Sequence, residues 1–316
     1  MKAAASAPGK VILFGEHSVV YQKPALALAV DRRAQVELEQ TQKNHIYIHI
    51  PDLDVKGTIQ LDGTVKSSGT GEVGILKFIK EALTLLNIKQ GMDVSVQMDI
   101  PIGAGLGSSA AVTVATLAAA RKITGNKWGK KELARSAHQV ELNVQGRASP
   151  LDTAVSTYGG LIYLKKGEPI PLDFPGELPL VVAYTSYRGN TGELVAGVKG
   201  RRNRYPDVVD LILESMEIVT DNARESLLMG NKKALGELMN INHGLLDALG
   251  VNTPELSRMV YQARRAGAQG SKITGAGGGG SIIAYAPGRV EEVLQELSKL
   301  EKAFVVGMSP EGVRVE

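Results

Sequence analysis

Two short segments of the chain alternate apolar and polar positions. From His45 to Ile50, Ile46, Ile48 and Ile50 fall on one face; Val94, Val96, Met98 and Ile100 repeat the pattern and stop at Pro101. A period of two sends successive side chains to opposite sides of a pleated ribbon, so both segments are predicted as half-buried strands. The apolar runs Val11 to Phe14, Leu180 to Tyr184 and Ser281 to Tyr285 predict buried strands. Tyr158 to Leu164, entered through Gly159-Gly160, and Phe304 to Met308 predict two more. Elsewhere the period is helical. Lys131 to Gln145 carries Leu133, Ala137, Val140 and Val144 on one stripe, with Glu141 assigned to the polar side. Ala110 to Lys122 holds strong helix formers and no breaker, with a first turn near Ser108 or Ser109. Asp207–Met229, Lys232–Leu249 and Arg289–Leu300 are further amphipathic helices, and Thr253-Pro254 caps another that runs through Ala266.

Strands and helices are thus mixed in both halves, which predicts an α+β protein. Pro169, Pro171, Pro175 and Pro179 interrupt the pattern, and the domain boundary is placed near residues 166–176, giving domains 1–170 and 171–316. A chain of 316 residues suits two medium domains.

Composition narrows the chemistry. There is no cysteine, which excludes disulfides, thiolate metal sites, iron–sulfur clusters and cysteine nucleophiles. A net charge of +3 and an aromatic fraction of 4% give neither a basic footprint nor base-stacking platforms, so no nucleic-acid partner is expected. The basic cluster Lys199, Arg201, Arg202 and Arg204 is expected to be a solvated surface segment. Met1 to Lys10 lacks a signal-peptide apolar region, and the longest apolar stretch, Ala110–Ala120, is broken by Thr113 and Thr116. A soluble, cytoplasmic protein with no membrane contact is expected.

Two glycine runs carry the candidate chemistry: Pro101-Ile-Gly-Ala-Gly-Leu-Gly-Ser-Ser-Ala110 and Lys272-Ile-Thr-Gly-Ala-Gly-Gly-Gly-Gly-Ser281. In the first, Gly103, Gly105 and Gly107 let backbone approach a bulky anion, and the helix that follows offers free N–H groups and a favourable dipole. The pattern is not a Walker A loop, since no lysine follows Gly107, and its third glycine is misplaced for a dinucleotide fingerprint. The residues alone allow either a phosphate cradle or a tight, serine-capped turn. Ser108 and Ser109 favour the cradle, because a hydroxyl at a helix start can also ligate a nucleotide-bound Mg²⁺. Glycine costs about 0.5–1 kcal/mol relative to alanine in ordered structure. A second run this dense, flanked by Ile273 and Ile282, therefore implies a backbone or ligand pressed against it.

These segments resemble the GHMP kinases, and within them the branch that phosphorylates mevalonate. The resemblance rests on Pro8-Gly-Lys-Val-Ile-Leu-Phe-Gly-Glu-His-Ser-Val-Val-Tyr21, the two glycine runs, and Ser149-Pro-Leu-Asp-Thr-Ala-Val-Ser-Thr-Tyr-Gly-Gly160. Gly189-Asn-Thr-Gly-Glu-Leu-Val-Ala-Gly-Val198 and Asn242-His-Gly-Leu-Leu-Asp-Ala-Leu-Gly-Val251 belong to the same pattern. It spans nearly the whole chain, in order. The departures are Phe14, where some relatives are polar, Pro150, where glycine is common, and Ser281, where many have cysteine.

The resemblance implies a two-domain GHMP kinase fold: an N-terminal ribosomal-S5-like, nucleotide-binding domain, a C-terminal α/β sandwich, and an active site in the cleft between them. The last strand, 303–316, is expected to pack on the first domain. It implies transfer of the ATP γ-phosphoryl group to the 5-hydroxyl of mevalonate, a step toward isoprenoids, with Mg²⁺ as cofactor. Action on phosphomevalonate, or at the 3-hydroxyl of mevalonate, is the alternative. Asp152 is expected as the catalytic base, although from residues alone it reads equally as a helix N-cap. Lys10 is expected beside it, stabilising the developing alkoxide. Pro101, Gly103, Ala104, Gly105, Leu106, Gly107, Ser108, Ser109 and Ala110 are expected around ATP, with Ser109 and Glu141 on the metal. Glu16, His17, Thr191, Gly277 and Gly278 are expected near the substrate, His17 as a donor to its tertiary hydroxyl or carboxylate, and Arg188 as the carboxylate's cation. The second glycine run is expected to brace the phosphate loop. Relatives are often dimers, so a homodimer is expected.

Overall fold

The computed structural model describes the chain except residues 61, 62, 70–72, 89, 102, 103, 147 and 188. The expected phosphate-loop residue Gly103 and the expected carboxylate partner Arg188 lie outside the described residues.

The first part of the chain runs β1 (Lys2–Phe14), β2 (Ala25–Gln40), β3 (His45–Ile50), β4 (Val55–Gln60), β5 (Val65–Gly69), α1 (Ile75–Leu85), β6 (Met92–Met98), α2 (Ser108–Thr124), α3 (Lys130–Gln145), α4 (Pro150–Tyr158), β7 (Leu161–Lys165) and β8 (Glu168–Leu172). The second runs β9 (Leu180–Tyr184), α5 (Thr191–Arg204), α6 (Pro206–Leu228), α7 (Lys232–Ala248), α8 (Pro254–Arg265), β10 (Gly270–Thr274), β11 (Ser281–Tyr285), α9 (Val290–Ser298), β12 (Lys302–Val306) and β13 (Arg314–Val315).

A nine-stranded sheet is ordered β13-β1-β2-β6-β3-β4-β5, with β7 and β8 attached along the first part of β2. Among the described residues only β3 and β6 pair in parallel. β2 has two different halves. Ala25 to Val30 is apolar and buried on both faces, pairing with β1 and β7; Ala34, Val36 and Leu38 then alternate with more exposed residues and pair with β6. That change of partner lets one strand serve two neighbours on the same edge. A second, four-stranded antiparallel sheet is ordered β10-β11-β9-β12. Alternate residues of β9 divide between two apolar clusters: Leu180 and Val182 join the large one, Val181 and Ala183 the one beneath α8 and α9.

α2 occupies the centre. It is buried all round, from Ala110 to Ala120, and packs on β1, β2, α1, α3 and α4. A run of alanines gives little side-chain bulk, so several neighbours can close on one helix. Its first residues, Ser108 and Ser109, are half-buried, so the N-terminus lies where the packed core meets solvent.

Several expectations are adjusted. β1 starts at Lys2, because Ala3, Ala5 and Ala7 are buried alternately although their side chains are small. Pro169 and Pro171 lie in β8, which pairs only with β7; an edge strand tolerates proline because its outer N–H groups have no ladder partner to lose. The expected limit at residue 170 therefore falls inside a strand. The expected single strand 303–316 is divided: β12 pairs with β9 in the small sheet, and only β13 pairs with β1 in the large one. The basic cluster forms the end of α5, where Arg202 reaches both carboxylate oxygens of Asp210 at 2.5 and 3.3 Å and Arg201 donates to the Gly250 carbonyl at 3.3 Å. Cations in a last helical turn also complement the helix dipole. Among the described residues no helix is long and apolar enough to cross a membrane.

Candidate active site

β1 sets the site. After Gly9, Lys10 is 4% exposed, and its backbone N–H donates to the Leu106 carbonyl at 2.8 Å, tying the strand to the glycine loop. Gly107 has a φ of 71°, and a Cβ there would lie 2.9 Å from Cγ of Lys10. Gly107 is thus required twice, for its left-handed backbone and for the lysine stem that passes it. The Lys10 ammonium lies 3.3 Å from Oδ2 of Asp152.

The start of α2 has no side-chain cap and no acidic residue in its first turn. The helix therefore leaves its first N–H groups and the positive end of its dipole beside Lys10, an arrangement that favours an anion. Ser108 and Ser109 are half-buried in this turn. From the other domain, the Ser281 hydroxyl donates to the Ala104 carbonyl at 2.5 Å, so the second glycine run holds the first by a direct bond. Thr274 acts alike on β1: its hydroxyl donates to the Ile12 carbonyl and accepts from the Ile12 N–H, both at 3.0 Å.

Asp152 sits in the first turn of α4, and Ser149 is the N-cap, its hydroxyl accepting from Leu151 N–H at 3.2 Å. Pro150 occupies the first turn, where its missing N–H costs nothing. Because Ser149 fills the capping role, the Asp152 carboxylate is free to face Lys10, and its side chain stays 32% exposed. His138 Nε2 lies 3.0 Å from the Ala148 carbonyl and anchors the segment leading into this turn.

Glu141 departs from expectation. It is 4% exposed, on the buried stripe of α3 with Ala137 and Val140, not on the polar side. Burial first, then the neighbouring Asp152 carboxylate, push its pKa up to about 8, while Lys10 pulls the other way. Added positive charge nearby would favour the ionised form of Glu141. Among the described residues no cluster of three or more histidines and carboxylates forms a metal cage.

The raised pKa has a sign that can be checked. Between about 4.5, the ordinary value, and about 8, the folded protein binds the Glu141 proton more tightly than the unfolded chain. Stability from this group should be present at low pH and lost as pH rises through that window. In metal-free protein the Glu141 contribution should fall by about 1 kcal/mol or more between pH 5 and 8, read as the wild-type minus Glu141→Gln difference in Tm, because His243 and His17, whose pKa values burial lowers, act in the opposite sense. Glu141→Gln should flatten that slope, as followed by circular dichroism.

Glu16 and His17 follow β1. Glu16 is 1% exposed; its carboxylate forms a fully buried ion pair with Lys272 and accepts from Asn242 Nδ2 at 3.2 Å. His17 has a φ of 60°, a left-handed conformation that costs a non-glycine residue about 1–3 kcal/mol. Its Nε2 lies 2.8 Å from the Ala276 carbonyl. Burial lowers the His17 pKa, so the ring is neutral and Nε2 carries the proton donated to that carbonyl. With Nε2 donating to that carbonyl, the other ring nitrogen is an acceptor in the neutral ring.

Gly277 and Gly278 pack against protein. A Cβ on Gly277 would lie 2.2 Å from the Val251 carbonyl, and one on Gly278 would lie 2.8 Å from Leu194. Thr191 begins α5, exposed, behind an Asn190 cap that accepts from Gly192 N–H at 2.9 Å. Sequence reasoning missed Lys272, Asn242 and Ser149. All three open segments already singled out, but only the fold shows what their side chains meet.

Comparison with known proteins agrees with this geometry. The model of the GHMP kinases N terminal domain matches residues 73–160, and that of the GHMP kinases C terminal region matches residues 223–303. The chain is 48% identical to a mevalonate kinase of Methanothermobacter thermautotrophicus, over 99% of this chain and 100% of the relative. It is 34% identical to the mevalonate kinase of Saccharolobus solfataricus over 93% of each. Among solved structures, the Methanococcus jannaschii mevalonate kinase superposes with a TM-score of 0.80 at 31% identity, covering 97% of this chain and 98% of that one. The L. major mevalonate kinase in complex with R-mevalonate superposes at 0.84 with 25% identity, covering 96% and 95%.

Proposed function

The chain belongs to the mevalonate kinases of the GHMP kinase family, and from that premise we propose how its own residues perform the transfer. It is an ATP-dependent phosphotransferase with an alcohol acceptor, passing the γ-phosphoryl group of ATP to mevalonate to give 5-phosphomevalonate and ADP. Phosphoryl transfer makes few covalent demands on a protein, which must align the hydroxyl, hold the phosphates and offset charge.

The observation that carries the proposed roles is the contact of Lys10 with Asp152 at the open N-terminus of α2. The uncapped N–H groups from Ser108 onward, with Pro101–Ala110 as the loop, receive the phosphates. Asp152 accepts the proton of the substrate's primary hydroxyl, and Lys10 stabilises the alkoxide and the transferring oxygens. Ser109 and Glu141 would hold Mg²⁺, which when bound neutralises the phosphates and favours the ionised form of Glu141. His17 accepts from the substrate's tertiary hydroxyl, and Thr191, at the start of α5, closes the substrate side. The finer expectations of a magnesium requirement, a homodimer and a cytoplasmic location are part of the same proposal. So is a division of the domains within residues 173–179, after β8, with the chain end returning to the first domain.

A coupled ADP-release assay with mevalonate, phosphomevalonate, homoserine and galactose tests the acceptor. Turnover should be confined to mevalonate, with the phosphate on the primary hydroxyl by ³¹P NMR. Preferred turnover of phosphomevalonate, or product at the tertiary hydroxyl, would displace the assigned acceptor. Ser109→Ala should raise the Mg²⁺ concentration for half-maximal rate by about tenfold, the scale of losing one ligand-shell group. An unchanged titration would remove Ser109 from the metal.

A further inference from the structure

Glu16 and Lys272 form an ion pair with no exposed side-chain surface on either partner. A buried pair of this kind seldom adds net stability, because desolvating both charges offsets their attraction. Its placement suggests a different use. Glu16 lies on the turn after β1, whereas Lys272 lies on β10 and Asn242 on α7, so the contacts cross between the two halves of the molecule.

Both carboxylate oxygens of Glu16 are engaged. Oε1 accepts from the Lys272 ammonium, and Oε2 accepts from Asn242 Nδ2 at 3.2 Å. The ammonium is fixed in turn by donating to its neighbour's carbonyl, Ile273 O, at 2.6 Å. The Asn242 amide can adopt only one orientation here, since its oxygen could not face the carboxylate. That oxygen, Oδ1, is buried and unpartnered among the described residues. An orphaned acceptor is tolerated only where the amide's other contact is worth keeping.

The turn held in this way is strained. Gly15 has a φ of 94°, and a Cβ there would lie 2.5 Å from the Pro24 carbonyl. The next residue but one, His17, adopts a φ of 60°, with its ring tied to the Ala276 carbonyl at 2.8 Å. Three groups of the second half, Lys272, Asn242 and the Ala276 carbonyl, thus fix two consecutive residues of the first. Strained backbone persists where its surroundings over-determine it, and it concentrates at functional sites.

We infer that Lys272 and Asn242 are positioning residues for substrate: acting through Glu16, they hold the turn that presents His17 to mevalonate. Glu16 is on this account an internal anchor and does not touch substrate. The inference rests on the proposed contact of His17 with the substrate hydroxyl. It also gives an apparently costly buried charge pair a directional role. An apolar pair of like volume would fill the same space but would not fix the angle at which the turn leaves β1.

Steady-state kinetics and thermal melts on five variants test it. His17→Ala should raise the KM for mevalonate. Lys272→Met and Asn242→Ala should raise the same constant, by about tenfold and threefold, with the ATP KM within twofold of wild type. The apolar replacement Glu16→Leu with Lys272→Met should recover the Tm lost in Lys272→Met yet keep the raised mevalonate KM. In a His17→Ala background, Lys272→Met should add less than twofold, since the relay it serves is already gone. A wild-type mevalonate KM in the apolar pair would show that the ion pair is structural and overturn the inference. If Lys272→Met does not fold, a normal KM in both Asn242→Ala and the apolar pair overturns it equally. If His17→Ala leaves the mevalonate KM unchanged, the His17 contact fails and the relay with it, while mevalonate turnover by the wild-type enzyme stands on its own.

Discussion

Asp152→Asn should cut kcat by roughly 10²–10⁴-fold, the scale of removing a general base. Asparagine has the same shape and can still meet the Lys10 ammonium, 3.3 Å from Oδ2 in the native protein, but its amide cannot take a proton from the acceptor hydroxyl. The α4 cap belongs to Ser149, so the helix should keep its start and the Tm should change little. One further consequence separates this role from a structural one. The Asp152 charge is the second cause of the raised Glu141 pKa. Its neutralisation should make Glu141 ionise more readily, so the half-saturating Mg²⁺ concentration should stay the same or fall while kcat collapses. Turnover within a few-fold of wild type in the coupled assay would remove Asp152 as the base.

Lys10→Met is expected to have the next largest effect. Methionine keeps the unbranched stem that passes Gly107 and fills the same buried channel, so the β1–loop contact through Lys10 N–H and the Leu106 carbonyl survives. The charge is what is lost. A fixed cation at a developing oxyanion contributes about 2.7–4 kcal/mol, so kcat should fall by roughly 10²–10³-fold. Because Lys10 opposes the rise in the Glu141 pKa, its removal should push that pKa higher still. The Mg²⁺ requirement should therefore increase as well, opposite to the Asp152→Asn result, and more so at lower pH. A variant with normal kcat and an unmoved Mg²⁺ titration would place Lys10 outside the chemistry.

The split between those two variants depends on distances that no linear pattern encodes. Glu141 illustrates the limit. On its own helix it reads as polar, beside an apolar stripe of Leu133, Ala137, Val140 and Val144. The buried face is wider, because α3 packs on α1, α2 and α4 together, and Glu141 falls inside it. Glu16 shows the same limit: the family motif places it near the substrate, and only the fold shows that its carboxylate also meets Lys272, far along the chain. β2 escaped notice because its first half is buried on both faces and shows no alternation, and α5 because its basic and glycine-rich sequence has only one buried residue, Val198.

Other features were legible from the residues themselves. The alternating strands at His45–Ile50 and Met92–Met98, the caps at Thr253-Pro254, and the helix opening at Ser108 follow from local rules of period, capping and glycine backbone freedom. Local rules act over a few residues, so the chain by itself determined many of its element types, the helix start after the glycine loop, and, through motifs spread along its length, its family. Burial and partnership are set between residues far apart in sequence. Only the tertiary structure decided that Ser149 caps α4 and leaves Asp152 free for Lys10, and that Lys272 and Asn242 close on Glu16 from the far side. It also set the charge balance at Glu141, because a carboxylate's proton affinity depends on how much water and which charges surround it, not on its neighbours in the chain.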